Sequence, residues 1–178
     1  RGVIYAIAHV RGGIENGKQW HIDGMLKNKK NTFRDFISCA EYLTGQGYTS
    51  TDRLVISGAS AGGLLVAAVL NKRPDICKAA VLDVPFVDVI NTMSDPTLLA
   101  TVTEYDEWGN PFVKEDFEYM YSYDPYQNIV KQAYPEIFVR AGFYDPRVNY
   151  WEPLKWVSKI RDYNTADTKV LLSIGMTG

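Results

Sequence analysis

The sequence has only two histidines and two cysteines in 178 residues, and it has no marked excess of either charge. No apolar run approaches the ~20 residues needed to span a bilayer, so no membrane-spanning segment is predicted and a soluble chain is expected. A net charge of −2 gives no reason to expect nucleic acid or an anionic membrane surface as a partner. Cys39 falls within a helical pattern and Cys77 just after Pro74. That spacing is neither a metal-binding pattern nor a disulfide framework, and it points to a reducing compartment with no metal or cofactor implied. No secretory leader, repeat or low-complexity tract is read in this stretch, and none is expected. What remains is enough chain, at 46% hydrophobic content, for one domain with a real core. Both ends read as cut: a strand pattern begins at once after Gly2, and the chain stops at Gly178 directly after another. The expectation is therefore a partial domain over 1–178, truncated at both ends.

The informative stretch is Val55-Ile56-Ser57-Gly58-Ala59-Ser60-Ala61-Gly62-Gly63-Leu64-Leu65-Val66. A short β-branched run is followed by a sharp turn, and then by a small-residue and aliphatic run long enough for about three helical turns. In Gly58-x-Ser60-x-Gly62 the glycines remove Cβ atoms where strand and helix nearly collide, so Ser60 can sit on a strained bend with its hydroxyl projecting. The free N–H groups of the helix, beginning with that of Ala61, face the same space and can donate to an anion forming beside the serine. The plain alternative is a close-packing turn with Ser60 as an N-cap. A phosphate loop does not fit, because no Lys-Ser or Lys-Thr pair follows the glycines.

Val3 to Ala8 is continuously apolar, as in a parallel strand buried on both faces. Phe33, Phe36, Ile37, Ala40 and Leu43 recur at helical spacing, with Asn31 or Thr32 as cap and Gly45 as stop. Strands follow at Leu54–Ser57 and Ala79–Leu82, with a helix from Ala61 to about Lys72 between them. Asn91 to Pro111 is read as a long irregular segment. Then come a helical stretch near Phe117–Tyr121, a strand at Ile137–Val139, a helix at Pro153–Arg161 and a strand at Lys169–Ile174. This alternation predicts an α/β fold: a mostly parallel sheet with right-handed crossovers, helices on both faces, and functional loops at the strand carboxyl ends.

A serine nucleophile needs a base and a carboxylate to orient it, in the chain order Ser, Asp, His for this architecture. Asp145 lies just past a strand downstream of Ser60, where its carboxylate can reach a histidine; the alternative is an Asp-Pro turn or a helix N-cap. His9 and His21 both precede Ser60, the wrong order, so the base is expected after the final strand.

Several blocks then resemble one family. They are His9-Val10-Arg11-Gly12-Gly13, Lys29-Lys30-Asn31-Thr32-Phe33, Gly58-Ala59-Ser60-Ala61-Gly62-Gly63, Val84-Pro85-Phe86-Val87-Asp88-Val89, Glu104-Tyr105-Asp106-Glu107-Trp108-Gly109-Asn110-Pro111 and Tyr150-Trp151-Glu152-Pro153-Leu154-Lys155-Trp156. Over nearly all 178 residues the chain is similar to the catalytic domain of the oligopeptidase B branch of the prolyl oligopeptidase family of serine peptidases. That resemblance implies an α/β-hydrolase domain, capped by a β-propeller that is absent from this chain, cleaving short peptides after Arg or Lys in the cytoplasm. It matches Ser60 to the nucleophile, Asp145 to the triad acid and the Ala61 N–H to one oxyanion donor. Phe86 and Glu104, with Asp106 close by, match the pocket for the basic side chain, and Arg147 matches an arginine near the bound peptide or the domain interface. The propeller, an oxyanion tyrosine and the triad histidine have no match, so this chain alone is expected to be inactive.

The pocket assignment also has its own physics, since a carboxylate beside an aromatic wall suits a guanidinium. The alternative is that Glu104, Asp106 and Glu107 form a solvated acidic loop. Two other functions stay open, because the elbow does not specify the leaving group: a carboxylesterase or aminopeptidase-like hydrolase, and a non-catalytic interaction domain.

Overall fold

Four short runs of β-branched and small residues pair side by side in the computed structural model, which describes residues 2–176. In chain order the elements are α1 (Lys18–Ile22), α2 (Lys30–Gly45), β1 (Val55–Ala59), α3 (Ala61–Lys72), β2 (Ala79–Asp83), α4 (Val89–Met93), α5 (Tyr105–Trp108), α6 (Lys114–Tyr121), β3 (Glu136–Gly142), α7 (Trp151–Tyr163) and β4 (Val170–Gly175). The sheet order is β1-β2-β3-β4 and every pairing is parallel. Strands adjacent in both sequence and space, each joined through a helix-bearing crossover, make an α/β-hydrolase type sheet, as predicted.

Register decides which face is buried. Ile56, Ala80, Ile137 and Val170 stand in one row, and Leu82 with Val139 in the next; all are buried. α3 packs on β1 and β2, and α7 on β3 and β4, over this face. The alternate residues Val55, Ser57, Phe138 and Leu171 are exposed. Helices on both faces were predicted; among the described residues the helices that touch strands cover one face. α2 lies outside α3, not on the sheet, with Phe33, Phe36, Ile37 and Ala40 turned inward. Covered by sheet on one side and by α2 on the other, α3 is buried from Gly63 to Leu70, which is why its sequence is apolar all round.

Val3 to Ala8 is not a strand. It runs as irregular chain, with Val3 81% exposed and Ile4, Tyr5 and Ile7 similarly open. A strand needs a neighbour to take its N–H and C=O groups, and among the described residues none lies beside this segment; apolar composition alone does not supply one. Smaller differences have local causes. Thr32, expected near the cap of α2, is inside it, and its hydroxyl donates to the carbonyls of Arg11 and Gly24. The segment from Asn91 to Pro111 contains the end of α4, a 3₁₀ turn at Val102–Glu104 and α5.

Two fully buried carboxyl groups tie α4 to the rest. Glu152, in the first turn of α7, accepts from the N–H groups of Val87 (3.2 Å) and Asp88 (3.1 Å) and from the Thr92 hydroxyl (2.6 Å). Asp124 accepts from the N–H of Ile90 (2.8 Å) and of Gln127 (2.9 Å). Between them they satisfy donors that the start of a five-residue helix leaves open. Desolvation pushes Glu152 up to about 8 and Asp124 up to about 6, against hydrogen bonds that act the other way.

Both groups hold protons more tightly folded than unfolded. Their contribution to stability is therefore complete below about pH 4 and is lost as pH rises through about 6 for Asp124 and about 8 for Glu152. Melting temperature should fall between pH 6 and 9, and Glu152→Gln should remove the upper part of that fall; the same slope in both proteins would contradict the assignment. A second prediction concerns close packing at the start of α3. A Cβ on Gly63 would lie 2.5 Å from Pro85 Cβ, whereas one on Gly62 would meet nothing within 4 Å. Gly63→Ala should destabilise by ~1–3 kcal/mol, a drop of several degrees in melting temperature, while Gly62→Ala should change it by less than about 2 °C. Equal effects at the two positions would refute this reading of the turn.

Candidate active site

The single residue between β1 and α3 is Ser60, and its backbone takes φ 53° and ψ −117°, a conformation that L side chains rarely adopt. Three backbone hydrogen bonds hold it there. Its N–H donates to Asp83 O (2.9 Å), and its carbonyl accepts from Leu64 (3.1 Å) and Phe86 (3.1 Å). Its side chain makes no capping bond to α3, so the N-cap alternative fails and the hydroxyl is left exposed. The N–H of Ala61, first in the helix, has no acceptor among the described residues. The glycine that strand and helix require is Gly58, whose Cβ would collide with the backbone of Gly62; Gly63 serves the contact with Pro85, and Gly62 itself has open space.

Ser60 and Ala61 line a cleft of about 600 Å³ at the carboxyl ends of the strands, together with Phe86, Glu104 and Arg147. Four of the predicted site residues and the oxyanion donor thus share one cavity wall. Phe86 is buried, with its ring edge-on to Trp108 at a centroid distance of 5.4 Å. The Trp108 indole N–H donates to Glu104 Oε2 at 2.7 Å. Glu104 is a third exposed, and Arg147 approaches its other oxygen at 3.6 Å. Asp106 is exposed and does not line the cleft, whereas Glu107 does. One turn of helix explains the exchange, since residues 104, 107 and 108 share a face and 106 points away.

Asp145 follows β3 in a tight turn, where its Oδ1 accepts from the N–H groups of Arg147 (2.9 Å) and Val148 (3.0 Å). The Asp-Pro turn is therefore real, and it leaves Oδ2 without a partner among the described residues. Neither histidine lines the cleft. His9 faces Glu15 at 3.5 Å, while His21 Nδ1 lies 2.8 Å from Gly12 O and its Nε2 3.3 Å from Glu107.

Some residues of the cleft carried no role in the sequence. Lys29 is buried with its Nζ 4.7 Å from the centre of the Trp108 ring and 3.9 Å from Glu107. Desolvation lowers its pKa, partly countered by Glu107. Arg11, also on the wall, makes a bidentate pair with Asp35 of α2 at 2.8 and 2.6 Å. Desolvation raises Asp35, yet the Arg11 hydrogen bonds prevail and hold it below the ordinary carboxylate range. The one available signal was the i, i+4 spacing of Glu104 and Trp108; nothing local marks Lys29 or Arg11 as neighbours of a serine some 30 to 50 positions on. Among the described residues no cluster of His, Cys, Asp and Glu has the arrangement of a metal site.

Comparison with known proteins places these features in a family. Residues 1–177 match the model of the prolyl oligopeptidase family. The chain is 50% identical over 176 residues to dipeptidyl aminopeptidase BI of Pseudoxanthomonas mexicana, covering 99% of this chain and 24% of that protein. It is 45% identical to protease 2 of Moraxella lacunata, again over 99% of this chain and 26% of that one. Among solved structures, oligopeptidase B from Leishmania major superposes with a TM-score of 0.93 at 49% identity, over 96% of this chain and 24% of that chain. Oligopeptidase B from Trypanosoma brucei with covalently bound antipain gives 0.93 at 50% identity, over the same shares. The chain spans about a quarter of the length of the curated relatives it matches. With the family model matched along nearly its whole length, this chain belongs to the prolyl oligopeptidase family.

Proposed function

We propose that this chain is the catalytic part of a serine peptidase that hydrolyses oligopeptides on the carboxyl side of arginine or lysine. The observation that carries the proposal is one cavity wall: a strained serine with an uncapped hydroxyl, an open helix N–H beside it, and a carboxylate held at the aromatic wall of the same cleft. In this reading Ser60 attacks the scissile carbonyl, and the Ala61 N–H donates to the oxyanion. Asp145 uses its unpaired oxygen to orient a histidine outside this chain's two. Glu104 takes the guanidinium or ammonium of the substrate, with Phe86 and Trp108 as its walls. Arg147, 71% exposed beside Glu104, is placed to meet the peptide or a neighbouring domain.

The relatives are about four times longer, and we assign the remainder of the enzyme a β-propeller that covers the cleft. Both cysteines are free, which supports a cytoplasmic setting, and no helix among the described residues is long and apolar enough to cross a membrane. A second reading follows from the name of the Pseudoxanthomonas relative: release of dipeptides from a free amino terminus. Arginyl substrates with blocked and free amino termini, beside prolyl and simple ester substrates, separate the two and also test for a plain esterase.

Three outcomes are expected with the intact enzyme. A fluorophosphonate probe should label it, and Ser60→Ala should abolish labelling and cut turnover by several orders of magnitude, because triad members act as a unit. Glu104→Ala should lower kcat/KM for arginyl substrates by roughly 30- to 150-fold, from the ~2–3 kcal/mol lost on truncating one partner of a desolvated charge pair, while uncharged ester hydrolysis changes little. Asp106→Ala should stay within about twofold, as for an exposed charge. An equal drop on both substrates for Glu104→Ala would mean that the residue supports the fold and does not read the substrate.

A further inference from the structure

Glu152 takes part in none of the steps above, yet it is fully buried and each of its hydrogen bonds ends on the segment that leads from β2 into α4. That segment carries the cleft wall, since Phe86 precedes its two bonded N–H groups and Thr92, which donates its hydroxyl, lines the cavity. We propose that Glu152 is a positioning residue for substrate binding: from the first turn of α7 it fixes the Phe86–Thr92 wall at a set distance from Ser60. The proposal rests on the reading of this cleft as the peptide site.

The segment needs an outside hold. Val84, a β-branched residue before proline, sits at φ 40°, and such a conformation persists only where the surroundings over-determine it. On one side the Phe86 N–H is bonded to Ser60 O, which ties the wall to the nucleophile's own backbone. On the other side the hold is Glu152, with Asp124 taking the next free donor at Ile90. The charge facing Glu152 from the turn is Asp88, already paired with Lys155 of α7 at 2.5 Å, and Thr92 from α4 is neutral. A carboxyl pushed up to about 8 in this setting serves as a neutral acid, and glutamine approximates it: its oxygen accepts from the two N–H groups, and its amide N–H donates to the Thr92 hydroxyl, which turns from donor to acceptor.

The test uses the intact enzyme with an arginyl amide, a small uncharged ester too short to reach Phe86, and fluorophosphonate labelling of Ser60. Glu152→Gln should keep KM for the amide within about threefold, because both backbone donors remain satisfied. Glu152→Met, which fills the volume but strands two backbone donors, should raise that KM roughly tenfold or more while kcat, ester hydrolysis and labelling stay within about twofold. An unchanged KM, or an equal loss in all three readouts, would overturn the proposal. If Glu152→Met does not fold, the pH profile of Glu152→Gln decides. Wild-type KM should rise as pH passes about 8, where the carboxyl ionises beside Asp88, and the variant's should not; parallel profiles would overturn the proposal. The preference of the wild type among arginyl, prolyl and uncharged substrates tests the functional reading separately. The variant-to-wild-type ratio, measured on whichever substrate it prefers, tests Glu152.

Discussion

The whole cleft depends on two contacts that only a missing Cβ permits. β1 passes to α3 through one residue, so the strand's end and the helix's first turn lie against each other at Gly58 and Gly62, and the next helical residue, Gly63, lies against Pro85. With no slack in the chain, Ser60 is forced to positive φ at a cost of order 1–3 kcal/mol. Backbone hydrogen bonds to Asp83, Leu64 and Phe86 offset that cost, and because they use only main-chain atoms the side chain stays uncommitted. Strain here is the geometric condition for a projecting hydroxyl, and the same bond network sets the distance from Ser60 to the Phe86 wall.

Around that turn a short hydrogen bond holds Glu104 more firmly than its ion pair does. Glu104 is oriented by the Trp108 indole, a part-buried hydrogen bond of 2.7 Å with little freedom. Its ion pair with Arg147 is looser, at 3.6 Å with an arginine 71% exposed, and a pair so solvated contributes ~0–1 kcal/mol. The indole therefore decides where the carboxylate sits, and the arginine holds it only weakly. Behind Trp108 the buried Lys29 faces the ring and Glu107, so that two of the acidic side chains of this stretch are already engaged inside the protein. Acidity read as a solvated loop is thus divided: Asp106 is exposed, while Glu104 and Glu107 both line the cavity, Glu107 with the buried Lys29 beside it.

How much of this was legible follows from how local each cause is. The elbow needs a β-branched run, glycines within a few residues and a small-residue helix, and all of these lie within twelve positions. The parallel sheet follows from alternating elements and short connections, and Asp145 from its place after a strand. The reading went astray where the cause lies elsewhere in the chain. Val3 to Ala8 has the composition of a buried strand but no strand beside it. The segment after Asn91 looked irregular because its helical turns are brief and are held by side-chain bonds, the Thr101 hydroxyl to Thr92 O and the Asn110 N–H to Asp116. Gly62 seemed essential by motif, yet it is Gly63 that meets another element.

The amino-acid sequence by itself determined the α/β alternation, the elbow with Ser60 at its bend, and the Asp-Pro turn at Asp145 after β3, because each follows from neighbours a few bonds apart. Only the tertiary structure decided which acidic residues of that stretch line the cavity, that Trp108, Lys29 and Arg11 frame it, and that a carboxyl from α7 is buried against the turn after β2. Those are meetings between residues 4 positions apart, as for Glu104 and Trp108, and 65 apart, as for Glu152 and Val87, fixed by register, helical phase and the packing of α3 and α7 on one face of the sheet. Sequence spacing carries no information about such meetings until the sheet has set the frame, since a single helical step turns a side chain by about 100°.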